Sequence, residues 1–391
     1  MPLLSLCLIV KNEAHQIDRC LGSVAGLADE LIVLDTGSTD DTVAKAEALG
    51  AKVSHFAWCN DFAAARNVAL ERATGDWVLV LDADEWLLPI IQEPIRAAIA
   101  QDQVLVVNLI RCELGAAQSP YSLVSRLFRR HPDVRFDRPY HAIIDDSVES
   151  LLKREPQWQI VSLPLPAIAH EGYRAEAIVS QDKAERARAA METYYADHPD
   201  DPYVCSKLGA LLLDLGEPER GFNLLKGAIA RAEQDGSTEI LYELHYHLAI
   251  AYQARGNHDL AKSNYRVALK QPVLAPLKLG ALVNLGHLHL ADREYREAVQ
   301  HYEAAVAIDP NFAKARHSLG LAYKELGQLS AAIEHYRRAI ATDSQEPAYH
   351  QSLGVALLKG GNPRAAVTAF KAAIDLYETQ GSPEAARIKQ T

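Results

Sequence analysis

The sequence predicts two unlike parts: an α/β domain on a mostly parallel sheet, followed by an all-α array of helical repeats. Three observations predict this. Short apolar runs alternate with helical stretches as far as Trp86. Two of those runs end in carboxylate-bearing loops, at Asp35 and at Asp82. Beyond about residue 200 the same residue types return at fixed offsets in five registers.

Leu3 to Val10 has the length and composition of a strand buried on both faces. It lacks the basic start and cleavage site of a signal peptide, and Lys11-Asn12-Glu13 follows at once. Asn12 stands where a helix cap is expected, before a helix to about Ala25. Leu31 to Leu34 reads as a second strand, ending in a loop from Asp35 to Thr42 that is dense in turn and capping residues. A helix over about Thr42 to Leu49, a strand over Lys52 to Phe56 and an alanine-rich helix over Asp61 to Arg72 come next. Trp77 to Leu81 is the fourth strand, and it stops at Asp82-Ala83-Asp84-Glu85. Short connections between such elements imply parallel strands joined by right-handed crossovers. Both carboxylate loops then lie at one sheet edge, where ligands of such sheets bind. Three carboxylates this close repel unless solvated or facing a cation, and hard oxygen donors suit magnesium or manganese. By themselves these residues equally suit an acidic turn that caps a helix.

Past Pro89 a helix is expected over Ile90 to Ala100 and a strand over Val104 to Ile110. Ser125 to Arg130 and Val134 to Phe136 read as edge strands. Arg138 to Ser147 reads as a loop with no helical period, and Gln159 to Ala169 as an edge or crossing strand interrupted by Pro164 and Pro166. From about Ala175 the composition turns to charged, alanine-rich helix. Gly209, Ala249, Gly286, Gly320 and Gly354 anchor the registers. Gly216, Gly256, Arg293, Gly327 and Gly361 follow each anchor at one offset, and Leu225, Tyr265, Tyr302, Tyr336 and Phe370 at another. Small residues let paired helices approach, the aromatic fills the gap, and the glycine turns the chain. The pattern resembles the tetratricopeptide repeat (TPR), and its tyrosines read as core fillers. The domains expected are 1–173 (the α/β domain), 174–199 (a linking helix), 200–379 (a repeat solenoid) and 380–391 (a tail).

A formal net charge of −11 over 391 residues argues against a nucleic-acid binder held by electrostatics. Five scattered cysteines without a C-x-x-C pair fit a reducing cytosol better than a disulfide framework. No apolar run approaches the roughly 18 residues of a membrane span. The expected location is cytoplasmic, or peripheral at the inner face of a membrane. Lys183, Arg186 and Arg188 alternate with Asp182 and Glu185, as on a solvated helix face.

Cys7 to Glu13, Val33 to Thr42, Asp61 to Asn67 and the D-x-D pattern Asp82-Ala83-Asp84 together resemble the family 2 glycosyltransferases of the A-type (GT-A) fold. The likeness extends to a bacterial, prophage-like subgroup with C-terminal tetratricopeptide repeats. It implies metal-dependent, inverting transfer from a UDP-sugar, of the hexosyl or N-acetylhexosaminyl class, with Mg²⁺ or Mn²⁺ as cofactor. By that resemblance Asp84 ligates the metal and Asp82 faces the ribose or metal. Asp35 accepts from the base, Arg66 lies near the diphosphate or base, and Val10, Glu13 and Ala83 line the nucleotide pocket. His170, in His170-Glu171-Gly172-Tyr173, resembles a closing motif that contacts metal or diphosphate. The residues also allow plainer roles: Asp35 as a helix cap, Arg66 in a surface pair, His170 as a structural histidine.

The base of an inverting transfer must reach the acceptor nucleophile. Relatives carry a His-Glu pair in the loop after the Arg-Leu-Phe-Arg segment, whereas here Ala142 follows His141. The candidates are therefore His141, Asp145 and Asp146, each equally suited to a salt bridge within the loop. The repeats are expected to recruit a protein or peptide acceptor, a cell-surface glycan precursor or a partner enzyme. A TPR interaction scaffold with a degenerate glycosyltransferase domain is the alternative. A sugar nucleotidyltransferase is disfavoured, because no glycine-rich phosphate loop follows the first strand.

Overall fold

The computed structural model describes residues 2–116, 119–171 and 181–389. They divide into two compact units, Met1–Gly236 and Ser237–Thr391. The first contains β1 (Leu4–Val10), α1 (Ile17–Ser23), β2 (Glu30–Asp35), α2 (Thr42–Ala48), β3 (Lys52–His55), α3 (Phe62–Glu71) and β4 (Trp77–Val80). There follow β5 (Glu85–Leu87), a 3₁₀ turn at Pro89–Ile91, α4 (Gln92–Ile99), β6 (Val104–Glu113), β7 (Tyr121–Arg129), α5 (Asp145–Arg154) and β8 (Gln159–His170). Helices α6 (Gln181–Asp197), α7 (Pro202–Asp214) and α8 (Pro218–Asp235) complete the unit.

The strands form one sheet in the order β3-β2-β1-β4-β7-β6-β8-β5. From β3 to β4 it is parallel, as expected; β7 then runs antiparallel to both β4 and β6, so the sheet as a whole is mixed. Both faces are covered, which explains the unbroken apolar runs. Leu4, Leu6, Leu8 and Val10 of β1 face a core shared with α1, α2 and α4. Cys7 faces the other core, with Ala63, Ala65 and Ala69 of α3 and Val148 and Leu151 of α5.

Four expectations are corrected. Asn12 caps no helix: it has φ 58° and its Oδ1 accepts from Thr39 N at 2.8 Å, so α1 starts later, at Ile17. β7 is an interior strand, since it finds a partner on each side. Val134 to Phe136 forms no strand; the Asn67 side chain takes the place of a neighbour there, bonding Phe136 N at 2.8 Å and Phe136 O at 2.9 Å. The loop from Arg138 ends early, because Asp145 opens α5, whose apolar Val148 and Leu151 are buried three residues apart. β8 is flanked by β5 only at Ile168–His170, so Pro164 and Pro166 lie where no second strand needs their missing N–H.

The second unit contains α9 (Thr238–Ala254), α10 (His258–Lys270), a 3₁₀ turn at Ala275–Lys278, α11 (Leu279–Ala291), α12 (Tyr295–Ile308), α13 (Ala313–Glu325), α14 (Leu329–Thr342), α15 (Pro347–Lys359), α16 (Pro363–Thr379) and α17 (Glu384–Lys389). Helices pack in the sequential pairs that the registers predict, α9 with α10 through α15 with α16; α7 and α8 make such a pair in the first unit. A Cβ on Gly286 or Gly320 would stand 2.5 Å from the ring of Tyr302 or Tyr336, both fully buried. The turn between paired helices is left-handed at all five positions, φ 62–81°. Arg293 holds one of them without glycine's freedom, between Asp292 and Glu294, which Lys262, His258 and His289 clamp.

Candidate active site

The C-terminal ends of β1, β2 and β4 meet at one edge, and the loops beyond them are latched to each other. Val10 pairs with Asp35 across β1 and β2, and Val10 O accepts from Thr36 N at 2.9 Å. Glu13 N donates to Thr42 Oγ1 at 2.7 Å, and Asn12 N to Ser38 Oγ at 2.9 Å. Asp35 is 3% exposed. Its carboxylate accepts from Gly37 N at 3.1 Å and Ser38 N at 3.0 Å, and His55 Nδ1 lies 3.1 Å away. Burial raises that carboxyl, and the bonds from Ser38, His55 and Gly37 more than reverse it, leaving it below its ordinary value. Asp35 thus shapes its own loop, with His55, which sequence reasoning missed, directly opposite it on β3.

At the end of β4 begins a chain of alternating charges. Asp82 Oδ1 bonds Arg66 Nη2 at 2.8 Å, and Oδ2 bonds Arg126 Nη2 at 3.0 Å. Arg126 Nη1 lies 3.6 Å from Glu85, and Arg111 joins Glu85 to Glu113 at 2.8 Å each. His170 closes the chain, with Nδ1 2.6 Å from Glu113 and Nε2 3.3 Å from Asp84. Glu85 and Glu113 are buried and the arginines nearly so, hence each charge needs its neighbours. Crowding by protein raises the Asp82 carboxyl, but Arg126 and Arg66 outweigh it and hold it well below the usual range. Burial likewise raises Glu113, and His170 and Arg111 bring it down to about 2. Burial lowers His170, yet the carboxylates of Asp84 and Glu113 lift it to about 9.

Sequence reasoning missed Arg111, Glu113 and Arg126, and it grouped Glu85 with Asp82 and Asp84 at the open edge, whereas Glu85 is buried against Arg111 and Arg126. Arg111 and Glu113 alternate along β6, a pattern that reads as a solvated face until β5, β7 and β8 bury it. Ala83 is buried beside Asp82. Gly172 and Tyr173 lie outside the described residues. Arg188 pairs with Glu192 and Glu217, as a solvated helix face would.

The candidate base loop abuts this chain. Arg66 Nη1 donates to Ala142 O at 3.1 Å, so one guanidinium holds both Asp82 and the loop. His141 is exposed with φ 53°. Asp146 is paired with Arg138 at 2.6 Å, and Asp145 accepts from Ser125 Oγ at 3.2 Å.

No group of three or more His, Cys, Asp or Glu placed to hold a metal occurs among the described residues. Asp82, a third exposed, has both oxygens engaged by arginine, whereas Asp84, a quarter exposed, lies beside His170. Two protein donors suit a cation that takes its remaining ligands from phosphate and water, as magnesium and manganese do.

The family model for glycosyl transferase family 2 matches residues 5–161. TPR models match 286–327, 322–361 and 352–389. A TPR repeat-containing protein of Synechococcus elongatus is 46% identical over 310 residues, covering 79% of this chain and 76% of that one. The chain belongs to the family 2 glycosyltransferases that carry tetratricopeptide repeats. The prophage-derived glycosyltransferase SunS of Bacillus subtilis is 30% identical over 241 residues, 58% of this chain and 53% of SunS. An uncharacterized glycosyltransferase of Rickettsia felis is 41% identical over 112 residues, 28% of this chain and 39% of that protein. The chain thus spans about half or less of these last two. Among solved structures, a MamA RS-1 double mutant covers 46% of this chain and 97% of its own, at 28% identity and a TM-score of 0.41.

Proposed function

We propose that this glycosyltransferase is metal-dependent and inverting, and that it takes a hexose or N-acetylhexosamine from a UDP-sugar. The observation that carries the reading is the division of labour at the end of β4. Asp82 is immobilised between Arg66 and Arg126, while Asp84 and His170 stay together at the rim. Asp84, with His170 once it gives up its Nε2 proton, would hold Mg²⁺ or Mn²⁺, which supplies Lewis-acid stabilisation to a leaving diphosphate. Arg66 and Arg126 keep Asp82 ionised and oriented toward the ribose. The Asp35 loop, with Val10, Glu13 and Ala83, would line the nucleotide.

Of the three base candidates we favour Asp145. Asp146 is ion-paired with Arg138, whereas Asp145 accepts from the neutral Ser125 Oγ. Protein crowded around Asp145 raises its carboxyl above the ordinary value, the direction a base needs. The repeats would bring a protein or peptide acceptor, a glycan precursor or a partner enzyme to this rim. No helix among the described residues is long and apolar enough to cross a membrane, in keeping with work in the cytoplasm or at its membrane face.

Ala142 beside His141 favours one other reading, an interaction scaffold whose catalytic half has decayed. A panel of UDP-sugars with manganese or magnesium separates the two, read as thermal protection, since a ligand that binds the folded state raises its melting temperature. At least one UDP-sugar is expected to protect, and Asp84→Ala is expected to abolish the metal-dependent part. Protection by none would leave the scaffold.

A further inference from the structure

We propose that Arg138 is a positioning residue: it pins the acceptor-side loop, residues 137–146, to the first turn of α7, so that transfer depends on a helix outside the sheet. The proposal rests on reading that loop as the acceptor side.

The loop supports itself poorly. Asp137 and Ile143 exchange two backbone hydrogen bonds, at 2.9 and 3.2 Å, and close it at its base. Between them Arg138 and His141 both have positive φ, 74° and 53°. Residues other than glycine keep such conformations only where their surroundings hold them there. One hold comes from α3, where Phe62 N donates to Pro139 O at 3.0 Å and Arg66 reaches Ala142 O.

The other hold comes from the helices. Arg138 sends Nη1 to Asp146 at 2.6 Å, and Nε and Nη2 to Asp201 at 3.1 and 2.7 Å. Its guanidinium is 6% exposed and faces the rings of Tyr194 and Tyr203. The other oxygen of Asp201 caps α7, accepting from Tyr203 N at 2.9 Å and Val204 N at 3.2 Å. Tyr203 Oη donates to His141 O at 3.3 Å, on the same loop. One carboxylate, Asp201, therefore both starts the helix and shares with Asp146 the buried cation of the loop. A loop held this way moves when that charge is lost, and the base candidate Asp145 sits at its far end.

Asp201→Asn tests this, because asparagine still caps a helix but leaves Arg138 with Asp146, on its own loop, as the remaining anion. In hydrogen exchange of the full-length protein, Ile143 N–H is expected to exchange about tenfold faster while Tyr203 and Val204 keep their rates. With manganese and UDP-glucose or UDP-N-acetylglucosamine, kcat for sugar release should fall roughly ten- to hundredfold with donor KM unchanged. Arg138→Lys, which keeps the charge but not the fork, should fall between wild type and Asp201→Asn. Unchanged exchange at Ile143, or faster exchange with unchanged kcat, overturns the proposal. A wild type that cleaves neither donor overturns the donor reading and the positioning role with it. The exchange at Ile143 then reports on the anchor alone.

Discussion

Arg126 shows how one side chain decides the state of several others. It stands between Asp82 and Glu85, and Glu85 is 1% exposed. Neither carboxylate can rotate away from it, because Arg66 and Arg111 hold their other oxygens. Deleting the guanidinium leaves anionic charge inside the protein with half its compensation gone. Arg126→Met should therefore destabilise the first unit by about 3 kcal/mol, seen as a lower urea midpoint. A loss below about 0.5 kcal/mol, the scale of an exposed ion pair, would mean that solvent screens the chain of charges. Such residues are hard to read from sequence. Asp82 and Asp84 stand out because they end an apolar run, whereas Arg111, Glu113 and Arg126 alternate with apolar residues as a solvated strand would.

At the scale of elements, helix pairs of the repeats are held together by the contact between a small residue and an aromatic ring. Gly320 on α13 faces Tyr336 on α14, and a Cβ would stand 2.5 Å from the ring carbon Cε1. Alanine is the better helix former by about 1 kcal/mol. Tyr336 is fully buried and has no room to retreat, so overpacking of about 1–3 kcal/mol opposes that gain. Gly320→Ala is expected to lower the stability of the second unit by about 1 kcal/mol net. The same substitution in an exposed helix would raise it, so the sign of the change in denaturant midpoint is the check. The strand ends follow a similar logic. Asn12 has a cap residue's chemistry, but Thr39 takes its oxygen, and the helix waits until Ile17.

For the molecule as a whole, the second unit carries its own pH limit. Burial, followed by the charges of His287 and Lys324, pushes His317 down from 6.5 to about 4; its ring lies against Tyr336 and Tyr349. Burial with His289 and Arg266 does the same to His301. An unfolded chain would protonate both near 6.5, the folded one near 4. Between those values the unfolded state binds more protons, so stability rises with pH through the window and is lost as pH falls. With both rings partly exposed, the loss should be about 2 kcal/mol for each by pH 4. Chemical denaturation of the second unit at pH 7, 5.5 and 4 measures it. His317→Gln should flatten part of the slope, and an unchanged slope would show that carboxylates alone set it.

Periodicity and local chemistry decide a great deal by themselves here. The strand–helix alternation to Trp86, the five repeat registers and the carboxylate loops at Asp35 and Asp82 depend on residues close in the chain, so spacing reveals them. Whether β7 is an edge or a centre depends on β4 and β6, which lie elsewhere in sequence. So does the fate of Asp82, which is set by Arg66 and Arg126, 16 and 44 residues away. The same holds for the loop at Arg138, whose partner Asp201 is 63 residues on. Burial turns such distant pairs from solvated charges into fixed ones, and only the folded chain assigns which charge meets which.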